Sequence, residues 1–593
     1  MSKYTADFET STKPSYLKDG RVRVWAYAIC EIGNPDNFIY GNSLDDFMEI
    51  CADPKENATY YFHNLKFDAS YIISWMLENG FEWIEDKKDR RSNTFTTLIT
   101  EMGQFYKLEV FFDVKGKRTN SVTFLDSLKI LNFSVEQIAK DFDLPIRKLE
   151  IDYDEYRPVG HILTPQEVDY IRNDVEIMAR ALNIMFEEGY TKMTMSSNAL
   201  AEYKTTISDF NLYFPKLPKE IDAEIRKSYK GGFTYLSPKY KEQETGQGMI
   251  FDVNSLYPSI LAGCEGELMP IGYPERFEGE YKKDKLYNLY VITFTCVFDL
   301  KKGKIPTIQD KSGRYGFRMN EYIESSNDVP VTLTLTSVDF ELFKKHYNYR
   351  DIKYQGGWKF KSMLGLFNTY VEKHTKGKIQ AKKEGKKAQY LLHKLLQNSL
   401  YGKFGLNPNG TTKQPYIEDG VVKYSFNETK DRDSIYIPIA TFVTSYGRRK
   451  TITMSEAIRE WSLKKYGEDF YTYSDTDSVH TRIMDEEKDL EDLKKIIDID
   501  DYDLGKWSVD GRYQRGKYLR QKCYIEQYMD GTLHVTVAGL PKFLSHVINF
   551  DNFKVGFTTA DLLPEQIGKK GKKLTYRQVK GGVLLEETEF TIK

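Results

Sequence analysis

Two aspartates, Asp475 and Asp477, stand in the stretch FYTYSDTDSVHTRI from Phe470 to Ile483. Apolar and β-branched residues flank them, and the Ser-Asp-Thr-Asp-Ser run between reads as a tight turn. The pattern predicts a hairpin with two carboxylates at its tip. Acids at i and i+2 can present oxygens to one side, which suits a hard divalent cation such as Mg²⁺. A second apolar run, MIFDVNSLYP at Met249–Pro258, contains Asp252 near its end. Two distant strands that each deliver a carboxylate can build a two-metal site for in-line phosphoryl transfer. Another pair of acids, Asp7 and Glu9, lies near the N-terminus at the same i, i+2 spacing, on one face of an expected strand.

These acids need elements to hold them. Residues 3–9 read as a short strand and Arg21–Cys30 as a second. Tyr60–Trp75 reads as an aromatic strand, a turn at His63-Asn64 and a helical pattern, with Asp68 at the helix start, where an Asp also serves as an N-cap. Residues 164–188 predict a helix: Thr164 and Glu167 make a capping box, Pro165 takes the first helical position, and Val168, Ile171, Val175, Met178 and Leu182 form the apolar stripe. Tyr170 and Asp174 are i, i+4 on an adjoining face. Leu289–Phe298 and Val331–Thr336 read as strands. Residues 366–404 read as lysine-rich helices in which Lys383, Lys387, Lys394, Asn398 and Tyr401 recur at helical spacing, and 405–438 reads as loop and turn. Arg512–Tyr524 clusters five basic residues with three tyrosines, as a phosphate-binding strand pair with aromatic support would.

The chain has 593 residues, of which 40% are hydrophobic and 29% charged, so several domains with sizeable cores are expected. The formal net charge is −2, compatible with a nucleic-acid enzyme whose acidic metal sites offset its basic surfaces. The 43 tyrosines supply stacking surfaces as well as packing. Five scattered cysteines without a CxxC pair indicate neither a disulfide framework nor a zinc site, which fits a reducing cytoplasm. No apolar run is long enough to span a membrane, and MSKYTADFET is not a secretory leader.

Three motifs in order carry a resemblance. Asp252-x-x-Ser-Leu-Tyr-Pro258, Lys394-x-x-x-Asn398-Ser399-x-Tyr401-Gly402 and Tyr473-Ser-Asp-Thr-Asp-Ser478 resemble motifs A, B and C of family B DNA polymerases. From Asp7 to the C-terminal FTIK the chain resembles the protein-primed, phi-twenty-nine-like phage replicases. That resemblance implies an α/β (α+β) multidomain fold: an RNase H-like 3′–5′ exonuclease domain and a right-hand polymerase of palm, fingers and thumb with two insertions, TPR1 and TPR2. The implied boundaries are 1–190 exonuclease, 191–263 and 439–536 palm, 264–365 TPR1, 366–404 fingers, 405–438 TPR2 and 537–593 a small thumb rich in Lys569, Lys570, Lys572 and Lys573.

The same resemblance implies the roles of single residues. DFET, HNLKFD and YIRND match the four-carboxylate exonucleases, so Asp7, Glu9, Asp68 and Asp174 would hold two divalent ions, with Tyr170 and Lys148 assisting. Spacing alone leaves Lys148 open to being a solvated surface lysine. Thr10, Asn64, Phe67, Ser127 and Leu128 would grip a single-stranded primer end. Asp252, Val253 and Asp477 would hold the polymerase ions, two Mg²⁺ or Mn²⁺, with Asp475 beside them. Tyr257 would pack under the sugar and exclude a 2′-OH, Tyr401 would support the nascent base pair, and Asn398 would join the nucleotide site. The resemblance selects Lys382 with Lys394 for the triphosphate, whereas helical spacing pairs Lys383 with Lys394; Tyr390 replaces a lysine often found in the family. DNA contacts are implied for Tyr229, Gly231, Gly232 and Phe233, for Thr444 and Arg448 of the TxxGR element, and for Lys522 and Tyr524 of KxY. The expected partners are primer–template DNA, dNTPs, a priming terminal protein and a single-stranded-DNA-binding protein; the enzyme would be a monomer or a 1:1 heterodimer with its terminal protein, in the cytoplasm of a bacterial host. The competing reading is a 3′–5′ nuclease with a DNA-binding C-terminal region, which predicts loss of acids that are all present.

Overall fold

The computed structural model describes all residues except 1, 12–20, 54–56, 117, 153–154, 317, 319–320, 428–431, 541, 563–572 and 580–581. Lys569, Lys570 and Lys572 of the basic C-terminal run lie outside the described residues, as does the side chain of Lys573.

An eight-stranded sheet organises the N-terminal part. Strand Ser2–Thr10 pairs antiparallel with Val24–Glu31 and parallel with Ala58–Phe62. VWAYAICE in Val24–Glu31 is almost wholly buried, as a strand covered on both faces must be. One face packs on Phe47, Met48, Leu65, Ala69 and Ile72; the other on Ile171, Val175 and Ala179 of helix Pro165–Glu187. That helix starts with the expected capping box and proline. The expected strand Arg21–Cys30 is divided. Arg21–Val22 leaves the sheet to pair with the C-terminal hairpin of Lys573–Val579 and Gly582–Thr588.

A second sheet carries the central acids. Its strand order is Thr234–Leu236, Tyr471–Asp475, Ser478–Arg482, Gly248–Val253, Trp507–Arg520, Cys523–Tyr528 and Leu533–Val537. The 30-residue helix Ile437–Tyr466 packs beneath it, burying Thr444, Ser445, Arg448 and Thr451 along with its apolar residues. Residues 264–365 contribute a separate four-stranded sheet with its own core of Ile292, Phe294, Phe298, Phe340 and Phe343.

The lysine-rich region forms two packed helices, Asn368–Lys383 and Lys387–Phe404, with Gly385 in the left-handed region (φ 69°) at the break. Lys383 and Lys394 therefore stand on different helices, and the single stripe expected from helical spacing does not form. The region 405–438 is not only loop. Thr412–Glu418 and Val421–Asn427 make an antiparallel hairpin, and Ile437 already begins the long helix. The hairpin lies on the N-terminal sheet: Thr412 bridges to Thr100, Val422 joins the N-terminal core, and Tyr424 meets Phe105 edge-on at 6.4 Å. Its pairing comes from tertiary neighbours that local turn composition does not reveal.

Candidate active site

Asp7 and Glu9 come from one strand and Asp174 from the facing helix; one oxygen of each lies within 4.8 Å of the others. Asp68 is not a cap. Asn64 holds the cap position with φ 80°, and Asp68 lies inside the first turn of Leu65–Glu78, 2% exposed and in electrostatic reach of Asp7. Burial first, then the charge of Asp174, pushes the Asp7 carboxyl up to about 7. Glu9 and Asp68 are pushed well above the usual carboxylate range, again by burial first and by Asp7 second. Asp68 Oδ1 and Asp174 Oδ1 are buried without a hydrogen-bond donor. Three buried carboxylates and the half-buried Asp7 cannot all ionise against one lysine, so the donor set fits divalent cations. That lysine is Lys148, whose ammonium bonds Asp174 and stands 5.6 Å from the Tyr170 ring, so it is no solvated surface lysine. The Tyr170 hydroxyl bonds Glu9. Asn64 is exposed and Phe67 and Leu128 are half-buried, while Thr10 is buried. Ser127 is fully buried, its hydroxyl donating to the Phe62 carbonyl at 3.0 Å, so it supports the strand end and offers no side-chain grip.

In the second sheet the hairpin forms as expected, with Thr476 at φ 65° between the two aspartates. Its tip is held from three sides. Thr476 N donates to Phe233 O (2.7 Å), Val253 N to Asp477 O (2.9 Å), and the Thr451 hydroxyl to Thr476 O (2.6 Å). Gly232 is required here: a Cβ would stand 2.6 Å from Thr476 Cγ2. Asp252 is brought beside Asp477. Burial first, then Asp477 and Asp510, pushes the Asp252 carboxyl up to about 8, with Lys394 opposing. Asp477 is raised mainly by burial, with Asp475 and Asp510 adding to it. Asp475 instead pairs with Lys522 at 2.7 Å and accepts from the Tyr473 hydroxyl at 3.2 Å.

Asp510 is a carboxylate that sequence reading missed. Ile250 pairs with Gly511 but Phe251 with Val509, which leaves Asp510 as the extra residue of a bulge. A bulge re-aims a side chain and leaves no mark in a strand's alternation. Lys378 was missed as well. It is half-buried on the first lysine-rich helix, its ammonium pushed down by burial and then by Lys394 and Lys382. Packing two helices brings these three lysines together; spacing within one helix cannot. The Tyr257 and Tyr401 rings stand 4.1 Å apart, and Asn398 is exposed nearby along the second helix.

Several expected DNA contacts stand one layer back. Arg448 is 4% exposed, and its guanidinium donates to the carbonyls of Lys230 and Gly231, both at 2.8 Å, and to Asp339 and Ser445. Thr444 is buried and donates to Ala440 O, and Phe233 is buried against Tyr322 at 5.0 Å. Arg448 thereby holds the segment Tyr229–Phe233, whose Gly231 is exposed and whose Tyr229 is half-buried, whereas Thr444 bonds only within its own helix. Tyr524 is buried among Tyr473, Tyr518 and His480, which leaves Lys522 as the exposed member of KxY.

An acid hairpin beside a carboxylate strand, with lysine-bearing helices over it, defines a nucleotidyl-transferring palm. The chain belongs to the type B DNA polymerases, organellar and viral, whose family model matches residues 53–496. It is a DNA-directed DNA polymerase. It is 42% identical to the DNA polymerase of Bacillus phage M2 and 41% to that of Bacillus phage phi29, in each case over 100% of this chain and 99% of the relative. Among solved structures it matches the phi29 DNA polymerase complexed with primer–template DNA and incoming nucleotide, with a TM-score of 0.89 and 39% identity over 100% of both chains.

Proposed function

We propose that this enzyme is a protein-primed, strand-displacing replicase with two separate carboxylate sites, one for synthesis and one for 3′–5′ proofreading. The observation that carries the reading is the pair of acid groups on different sheets, one buried and one half-buried, with carboxyls in each pushed up by burial and by one another. Asp252, Asp477 and the Val253 position would hold the polymerase cations, with Asp510 adding charge and Asp475 holding Lys522. Asp7, Glu9, Asp68 and Asp174 would hold those of the proofreading site. Bound Mg²⁺ or Mn²⁺ would supply charge neutralisation and activation of the attacking oxygen in both sites. The chain's own groups do the rest. Lys378 and Lys394 neutralise the triphosphate. Tyr257 and Tyr401, already in contact with their rings tilted by 39°, form the floor under the incoming sugar and base pair. Tyr170 and Lys148 orient Glu9 and Asp174.

Under this reading residues 1–190 are the exonuclease, 191–263 and 439–536 the palm, 264–365 the first insertion, 366–404 the fingers, 405–438 the second insertion and 537–593 the thumb. The hairpin at 412–427 reaches from the polymerase part to the exonuclease sheet, an arrangement that supports enclosure of a template strand. The full-length likeness to phage polymerases supports a terminal protein as primer and replication in a bacterial host's cytoplasm. Asp477→Asn is the test: primer extension with dNTPs and Mg²⁺ should vanish while degradation of single-stranded DNA persists. Substantial extension by the purified variant would sink the assignment.

A further inference from the structure

We propose that Tyr502 is the docking point of the fingertip: its exposed ring receives the Lys382 ammonium and holds the two fingers helices where Lys394 reaches the polymerase acids. The inference rests on the polymerase reading above. Tyr502 is 75% exposed, which burial energy does not explain. Its loop is nonetheless held firmly. Asp500 Oδ1 accepts from the backbone N–H groups of Tyr502 and Asp503, both at 2.7 Å. The Asn254 side chain donates to the carbonyls of Asp500 (2.8 Å) and Asp503 (3.2 Å), and Gly505 N donates to Asn254 O (2.9 Å). Asn254 is two residues beyond Asp252, so the loop is tied to the acid-bearing strand itself.

The other half of the contact comes from the fingers. Lys382 Nζ stands 5.3 Å from the centre of the Tyr502 ring, within the range of a cation–π contact. Charge favours the same docking. The loop segment carries Asp498, Asp500, Asp501 and Asp503, and the fingertip carries Lys382, Lys383, Lys386 and Lys387. Lys378 lies one turn before Lys382 on the same helix face, and its ammonium feels the charge of Lys394 on the second helix. With Lys382 resting on Tyr502, the triphosphate is left to Lys378 and Lys394, and Lys394 already reaches Asp252 electrostatically. Tyr502 is thus a positioning residue. Losing the contact lowers the fraction of enzyme with its fingers in place and raises the apparent nucleotide KM by that fraction, without touching the chemical step.

Single-nucleotide insertion kinetics test this on the full chain. Tyr502→Ala should raise the apparent KM for dNTP about 2- to 5-fold, the worth of one exposed cation–π contact, with kcat within about twofold of the parent. Tyr502→Phe, which keeps the ring, should restore the parent KM. Lys382→Ala should match Tyr502→Ala, and the double variant should be no worse than either. Without nucleotide, trypsin should cut the fingertip faster in Tyr502→Ala than in Tyr502→Phe, a readout independent of synthesis. A loss above about tenfold in Lys382→Ala with none in Tyr502→Ala would overturn the proposal, because Lys382 would then grip the triphosphate directly. Unchanged KM and cleavage in Tyr502→Ala would overturn it equally. A parent unable to extend a primer would instead defeat the polymerase reading underneath.

Discussion

Replacing Arg448 with methionine tests whether this arginine grips DNA or holds the protein together. Its guanidinium is buried and serves the Lys230 and Gly231 carbonyls as well as Asp339. Burial works to raise the Asp339 carboxyl, and the Arg448 charge and hydrogen bond overcome it, leaving it below its ordinary value of 3.8. Removing one partner of such a buried pair costs about 3–5 kcal/mol, because the other charge is left uncompensated. The Lys230 and Gly231 carbonyls lose their donor in the same step. Urea unfolding of Arg448→Met should therefore show a loss of about 3–5 kcal/mol. Arg448→Met with Asp339→Leu should recover much of it, since an apolar pair can replace a buried ion pair at little net cost. The sign of the pH dependence follows from the lowered carboxyl. The pair's contribution is fully present above the ordinary value of 3.8 and is lost as pH falls through the lower folded value. DNA binding separates the two roles. A direct phosphate contact would drop out of the salt dependence and reduce its slope by about one. The buried clamp predicts weaker binding with an unchanged slope. A variant as stable as the parent with a reduced slope would refute the reasoning.

Gly232→Ala should push the Thr476 tip away, because the new Cβ would stand 2.6 Å from Thr476 Cγ2; primer extension should fall at least about tenfold while degradation continues, measured on one labelled primer. Asp7→Ala with Asp174→Ala should reduce 3′–5′ degradation by several orders of magnitude and leave synthesis running with more misincorporation. The hairpin at 412–427 can be removed without cutting into the sheet that carries Asp252 and Asp477, although Val422 and Tyr424 then leave the N-terminal core. Arg432 N donates to Pro408 O at 2.8 Å, so residues 408 and 432 are close, whereas Tyr436 and Ile437 are buried and must stay. A short Gly/Ser bridge in place of 410–430 should keep gap filling of a few nucleotides and abolish rolling-circle synthesis, and multi-length product without a helicase would contradict enclosure of the template.

Asp252, Asp475 and Asp477 were legible in the sequence because Asp252 and Asp475 stand near the ends of apolar strands and Asp477 in the tight turn between two of them, where a carboxylate has no core role. The capping box at Thr164–Glu167 and the helix behind it were legible for the same local reason: the signal lies within one turn of chain. The acids of the N-terminal cluster were only half visible. Asp7 and Glu9 declare themselves by spacing on a strand, but Asp68 looks like a cap until the helix is docked against that strand. Asp510 joins Asp252 and Asp477 because pairing with Gly248–Val253 slips by one residue, and a slip belongs to two strands at once. Lys378 meets Lys394 across two helices, and Lys382 meets Tyr502 across segments more than a hundred residues apart. Arg448 carries the composition of a DNA contact, yet its long helix lies under the sheet and turns it inward. Local pattern determines which residues can carry chemistry and on what kind of element. Burial and the meeting of distant segments are decided by packing, because the free energy of a buried charge depends on neighbours that the chain brings in from hundreds of residues away.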